Sequence, residues 1–286
     1  MVAHGELIVY YLPEEQDRAV CDFIHLEDNL IEAICEQLIP QESHQHKEGV
    51  TTRMTDRCEV ERYDHLGVKL EVPRHLIAPA IGRAFREGYY ERLETQLIGR
   101  LLRPSDTVVE LGAAIGFLAT WIAQRLTTGR VISYEANPSL IDIALNTFSI
   151  NGVNIALKNA IVLGEIGRDT AEFFVDEAFW ASSQFINKGK RIEVPAQSLQ
   201  SVLQNDDPDI LVVDIEGGEK GLFEQVELNG IRHAVVELHA PIIGLSGVRK
   251  VFQRLAELGF AYNPEFSWSY IVTFTPIDEI QKNCRT

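Results

Sequence analysis

Six side chains able to hold a hydroxyl, a cation or a proton fall at the ends of four apolar runs. Glu110 closes Thr107-Val-Val, and Glu135 closes Val131-Ile-Ser-Tyr. Asp214 and Glu216 follow Ile210-Leu-Val-Val, while Glu237 and His239 follow Ala234-Val-Val. A carboxylate can accept from hydroxyls or neutralise a cation, and a histidine beside it is a candidate base or metal ligand. Two glycines, Gly112 and Gly116, come just after the first acid, where a missing Cβ lets the backbone approach a ligand. Glu135 lies nineteen residues past Gly116, the distance at which α/β nucleotide folds place the acid that takes a ribose diol.

The glycine spacing selects the nucleotide. A dinucleotide turn needs Gly-x-Gly-x-x-Gly, because its middle glycine makes room for a pyrophosphate. Here the run is Gly112-Ala-Ala-Ile-Gly116, and the middle glycine is absent. The turn suits S-adenosylmethionine, which has a ribose and an amino-acid end but no phosphate. Two readings stand against it: an NAD(P)-dependent Rossmann oxidoreductase, and a catalytically inactive methyltransferase-like binding module. Each acid also has a plain alternative. Glu216 or Glu219 could cap the next helix, Glu237 could pair with an arginine, and a lone His239 would be structural.

Strands and helices must alternate to bring these residues together. Strands are expected near 107–111, 131–135, 155–162, 210–215, 233–238 and 269–275, and helices at 116–127, 138–150, 198–204, 218–228 and 247–258. Such alternation predicts a doubly wound, mostly parallel sheet with an antiparallel hairpin at its edge. In such sheets ligands bind beyond the carboxyl ends of the strands, where the acids fall. If the strand persisted to Glu216, Asp214 and Glu216 would share one face. Upstream, residues 58–72 alternate around Asp64-His-Leu-Gly67 as a β-hairpin, and a helix runs from about Glu91 to Leu102. The expected division is an N-terminal extension at 1–50, a hairpin and helix at 51–104, and a catalytic domain at 105–286. The extension reads as a strand at 6–12, an amphipathic helix to about Leu38, and a polar linker at 41–50. The helix face Phe23, Leu26, Leu30, Ile34 and Leu38 would pack on the main domain, cap the site or form a homo-oligomer.

A formal net charge of −16 argues against nucleic acid, because a phosphate backbone needs a basic surface. Cys21, Cys35, Cys58 and Cys284 lack both metal-ligand spacing and a disulfide framework. His44 and His46 lie in the polar linker without partner ligands. No signal peptide and no run of 18 apolar residues is present, so the expectation is a cytoplasmic protein with no membrane partner.

The set Gly88-Tyr-Tyr-Glu91, Val108-Val-Glu-Leu-Gly-Ala-Ala-Ile-Gly116, Tyr134-Glu-Ala-Asn-Pro138, Val194-Pro-Ala-Gln-Ser-Leu199, Asp214-Ile-Glu-Gly-Gly-Glu219 and Glu237-Leu-His239 resembles the FkbM-type methyltransferases. The resemblance covers roughly residues 85–275. Glu110 stands where that family more usually has Asp, and Ala114 where Asn is common. It implies the class I methyltransferase fold and methylation, from S-adenosylmethionine, of a hydroxyl on a sugar, glycolipid or polyketide-type small molecule. On that basis Gly112 and Gly116 meet the methionine end with Glu110 close by, and Glu135 takes the ribose hydroxyls. Asn159 is a candidate for adenine, and Asp214 for the methionine amino group or the acceptor. His239 is the first choice of base and Glu216 the second. A divalent metal held by the acids and the histidine is the less favoured alternative. Ser182 and Ser183 would lie in the segment covering the acceptor side.

Overall fold

The computed structural model describes residues 59–175 and 189–278. The expectations for residues 1–50, all four cysteines, and Ser182 and Ser183 lie outside the described residues. The chain divides after Thr52, and all described residues belong to the second unit, Arg53–Thr286.

The first described elements form the expected hairpin, β1 (Val60–His65) and β2 (Val68–Pro73). Its turn is Leu66-Gly67, with φ of 49° and 85°. Two successive positive φ values give a two-residue turn whose twist matches that of the flanking strands. Val68, Leu70 and Val72 alternate into the core. Helix α1 (Pro79–Glu87) starts on a proline and stops at Gly88 in the left-handed region, and α2 (Arg92–Leu101) follows.

The hairpin is a sheet of its own, and the central sheet has seven strands: β3 (Thr107–Leu111), β4 (Arg130–Glu135), β5 (Ala156–Asn159), β9 (Ile210–Val213), β10 (His233–Glu237), β11 (Phe260–Tyr262) and β12 (Ile271–Pro276). Their order is β11-β12-β10-β9-β3-β4-β5, and β12 alone runs antiparallel to its neighbours. The order turns back at β3, which lies between β4 and β9. The carboxyl ends there open the crevice in which such sheets bind ligands.

Helices cover both faces: α3 (Phe117–Ala123), α4 (Ile141–Asn151), α5 (Leu199–Asp206), the one-turn α6 (Glu219–Leu222) and α7 (Ala240–Glu257). Strand residues alternate between two cores. Val108, Val131, Ile210 and Val212 join Phe117, Ile122 and Leu97, whereas Val109, Ile132, Leu211 and Val213 join Leu199, Val202 and Leu255. Burial on both faces explains why these strands read as unbroken apolar runs. The hairpin belongs to the first core and is tied to α4 by Asn151. The Asn151 side chain accepts from Lys69 N at 2.9 Å and donates to Lys69 O at 2.7 Å, as a neighbouring strand would.

Four expectations need correction. The run at 155–162 is two strands, because the chain leaves the central sheet at Ala160. β5 pairs with β4, whereas β6 (Ile161–Leu163) pairs with β8 (Lys190–Ser198). β8 and its antiparallel partner β7 (Thr170–Val175) were not anticipated, and with β6 they make a second, three-stranded sheet. β9 stops at Val213, so Asp214 and Glu216 stand on a loop. The helix expected at 218–228 is the single turn α6. α7 begins seven residues earlier than expected, with a break at Gly244 (φ 66°, ψ 167°).

Candidate active site at the carboxyl ends of the central strands

The glycine turn is pinned to the neighbouring strand. Gly112 N and Ala113 N both donate to Tyr134 O, at 2.9 and 3.0 Å. Gly112 has φ of 96°, and a Cβ there would lie 1.8 Å from the Asp214 carbonyl oxygen. The side chain is therefore missing because the exits of β3 and β9 cross. Gly116 (φ 80°) caps α3, and its Cβ would lie 2.6 Å from Phe148 Cε1 on α4. Close helix packing accounts for this second glycine, which does not line the cavity described next.

A cavity of about 270 Å³ opens beside the turn. Glu135 forms part of its wall and is only 7% exposed. Its Oε2 accepts from Ala114 N at 2.8 Å and its Oε1 from Asn137 N at 2.6 Å. Burial pushes this carboxyl up to about 7, although both backbone N–H groups oppose the shift. Ala136, Ala160, Ile161 and Val162 give the cavity an apolar side. Asn159 is not among its lining residues. The Asn159 amide donates to the carbonyls of Glu135 (2.8 Å) and Ala136 (3.2 Å), so it holds the segment that presents Glu135.

Glu110 faces the other way from Leu111, as successive residues of a strand must. Leu111 lines the main cavity, whereas Glu110 borders a smaller one together with Glu91, Glu94, Asp214 and Glu237. Its Oε2 accepts from Ser133 Oγ at 2.6 Å. Burial pushes Glu110 up to about 8, with the Asp214 and Glu135 carboxylates adding to the shift and Ser133 opposing it.

The loop after β9 turns sharply through Glu216 (φ 46°) and Gly217 (φ 101°). Glu219, fully buried, stitches this loop to the exit of β10. Its Oε2 accepts from Gly217 N at 2.9 Å, and its Oε1 accepts from His239 N at 2.8 Å. His239 sits among four carboxylates. Its Nε2 lies 3.5 Å from Asp214, 3.4 Å from Glu216 and 3.6 Å from Glu237, and its Nδ1 lies 3.4 Å from Glu219. Burial alone would lower the imidazole, but Glu219, Asp214 and Glu216 outweigh it and raise it to about 9. The surrounding carboxylates thus favour the charged imidazolium over the neutral ring.

Burial pushes Glu216 up to about 7, even with the His239 charge opposing the shift. Glu237 is pushed well above the carboxylate range by burial and then by Asp214, Glu94, Glu216 and Glu91. Asp214 is raised by burial, against the pull of His239.

Tyr90 and Glu91 also line the cavity, at the N-terminus of α2. Glu91 adopts φ of 45°, and burial together with Glu94 pushes its carboxyl well up. Tyr90 is held by its carbonyl, 2.7 Å from His65 Nε2 on β1, and by an aromatic cluster with Phe85 and Phe117. In the sequence these two residues appear only as part of Gly88-Tyr-Tyr-Glu91. Arg168, another lining residue, stands between β6 and β7, where no sequence pattern marked it.

Among solved structures the chain is similar to a precorrin-6y methyltransferase of Geobacter metallireducens. Identity is 14% over 65% of this chain and 88% of that one, with a TM-score of 0.40. An O-methyltransferase of Bacillus cereus, in complex with SAH, is 14% identical over 71% of this chain and 84% of that one, also with a TM-score of 0.40. No curated protein matches the chain. The family described as Methyltransferase FkbM domain matches residues 110–262, more than half of the sequence. The resemblance carried by the glycine turn, the Asp214–Glu219 loop and the Glu237-Leu-His239 segment is thereby shown, and this chain belongs to the FkbM methyltransferase family.

Proposed function

We propose that the protein methylates a hydroxyl of a small-molecule acceptor, a sugar, glycolipid or polyketide-type compound, with S-adenosylmethionine as donor. The observation that carries the donor assignment is Glu135. Its carboxylate is aimed by two backbone N–H groups at the wall of the main cavity, and each oxygen keeps a further lone pair for a ribose hydroxyl. The residues around it fit the rest of the cofactor. Ala136, Ala160 and Ile161 suit the adenine, while Glu91 and Asp214 suit the ammonium of the methionine end. When bound, the cofactor supplies an electrophilic methyl group on a sulfonium.

The chain's own part is positioning and proton transfer. Glu216 lines the cavity with its carboxyl near neutrality, so it serves as the acceptor of the hydroxyl proton. His239, with Nε2 3.5 Å from Asp214 and 3.4 Å from Glu216, holds both carboxyls in place. The acidic surface favours an acceptor that is not a polyanion, and no helix among the described residues is long and apolar enough to cross a membrane. The experiment is calorimetry with S-adenosylhomocysteine, followed by mass spectrometry of a panel of hydroxylated acceptors for the gain of one methyl group. Binding lost in Glu135→Ala and turnover lost in Glu216→Gln are the expected results. An unchanged affinity in Glu135→Ala would overturn the ribose assignment.

A further inference from the structure

The donor, placed as proposed, leaves part of the main cavity's wall without a task. That part comes from two segments: residues 163–173, which run from the end of β6 into β7, and the loop after β9 that carries Glu216. Arg168, in the first segment, is the only cationic side chain among the lining residues. The other charged groups there are Glu91, Glu135, Glu165, Asp214 and Glu216, all acidic. We propose that Arg168 is a specificity-determining residue, which selects acceptors carrying one anionic group, a carboxylate or a phosphate monoester. Such selection presupposes the hydroxyl methylation proposed above and adds to it the chemical class of the acceptor.

The segment bearing Arg168 is fixed against the one bearing Glu216. A Cβ on Gly164 would lie 2.0 Å from the Gly221 carbonyl oxygen, so the two backbones meet there. Two residues further on, Ile166 N donates to Gln225 Oε1 at 3.2 Å. Arg168 and Glu216 thus stand on touching parts of one wall. An acceptor that turns its hydroxyl to Glu216 can extend its remainder towards the guanidinium. Phe173, buried on β7, lines the same side and offers that remainder an apolar surface.

The fold itself has little use for a cation at this position. Among the described residues the Arg168 side chain has one partner, Glu165, with Nη1 3.3 Å from Oε2. The two side chains are 48% and 64% exposed, and a pair so exposed contributes little to stability. A guanidinium carries five N–H donors in a planar fork, so most remain for a ligand. That fork matches the paired oxygens of a carboxylate or phosphate, which an ammonium does not. The chain's net charge of −16 repels anions at a distance, so a charged acceptor is retained only by direct contact. A single arginine can match one such group.

The test titrates glucose, glucose 6-phosphate and glucuronate into the full chain by calorimetry at low ionic strength, with and without S-adenosylhomocysteine. At least one of the two anionic sugars is expected to bind about tenfold or more tightly than glucose, and the two arms tell phosphate from carboxylate. Arg168→Gln is expected to abolish that advantage, and Arg168→Lys to keep part of it. Arg191→Gln, at an exposed residue paired with Glu172, is expected to bind as the parent does. Equal binding of all three sugars by the parent, or an advantage that survives Arg168→Gln, would overturn the assignment. Weaker S-adenosylhomocysteine binding in Arg168→Gln would also overturn it, by making the arginine a donor contact. A parent chain that ignores S-adenosylhomocysteine but holds an anionic sugar through Arg168 upholds the arginine and sinks the donor reading.

Discussion

Glu135 and Ala114 are joined across 2.8 Å, a carboxylate at the end of β4 accepting from a backbone N–H in the glycine turn after β3. The acid that would hold a ribose is thus preset by the loop beside it, and the two segments are placed as one unit. Replacing Glu135 with Ala removes the acceptor for Ala114 N and Asn137 N as well as the proposed contact to the ligand. Two hydrogen bonds to a charged group amount to about 3 kcal/mol, so S-adenosylhomocysteine is expected to bind about 100-fold more weakly. Isothermal calorimetry measures this directly.

The two glycines should differ sharply when replaced. A Cβ at Gly112 meets a backbone oxygen at 1.8 Å, and two strand exits would have to separate. At Gly116 the nearest atom is the edge of the Phe148 ring at 2.6 Å, which can shift. Both also place Ala in the left-handed region, at a cost of about 1–2 kcal/mol. Gly112→Ala is expected to lose several kcal/mol and Gly116→Ala less, as read from urea unfolding midpoints at constant slope.

Stability should fall with rising pH. Glu110 and Glu135 have folded-state values of about 8 and about 7, above the ordinary carboxylate range. The folded state therefore holds protons that the unfolded state releases near pH 4.5. The resulting stabilisation is full below that pH and is lost as pH climbs through 7 and 8. His239, raised to about 9, acts in the same sense at higher pH. The midpoint of thermal unfolding is expected to drop between pH 5 and pH 8. In Glu110→Gln the drop should be smaller, because one titrating group is gone. A slope equal to the parent's would refute the assignment.

His65 is expected to matter although it lies outside the cavity. Its Nε2 is 2.7 Å from Tyr90 O, and its ring packs 4.8 Å from that of Phe117. His65→Leu keeps the apolar bulk but strands the Tyr90 carbonyl, at a cost of about 1–3 kcal/mol. Thermal unfolding and S-adenosylhomocysteine affinity should both fall, since Tyr90 and Glu91 line the site.

The four strands that carry the acids were legible because each is buried on both faces and reads as an apolar run. The end of β9 was not, since Ile215 continues the apolar pattern while Glu216 already has φ of 46°. The break at Ala160 was equally hidden: the residues of β5 and β6 are continuous in pattern, and only the choice of partner strand separates them. β8 contains Pro195, which argues against a strand in sequence, yet it pairs with Thr170 of β7. For the site, the positions of Glu135 and Asp214 followed from strand-end logic. The raised His239 imidazole did not, because its four carboxylate neighbours come from two chain segments, the 214–219 loop and the end of β10. Asn159 was found at the right strand end but with its amide spent on backbone carbonyls.

The opposite orientations of Glu110 and Leu111 make β3 part of the wall between two chambers that also share Glu91, Gly112 and Asp214. A substitution at either residue reaches the far chamber only by displacing a strand hydrogen-bonded on both sides, to β4 and β9. Variation at Leu111 can therefore reshape the main cavity while Glu110 and Glu237 keep their spacing, whereas a change at Glu91 or Asp214, which line both chambers, acts on the two together. Through β3 the two are adjustable one at a time, and through the shared carboxylates only as a pair.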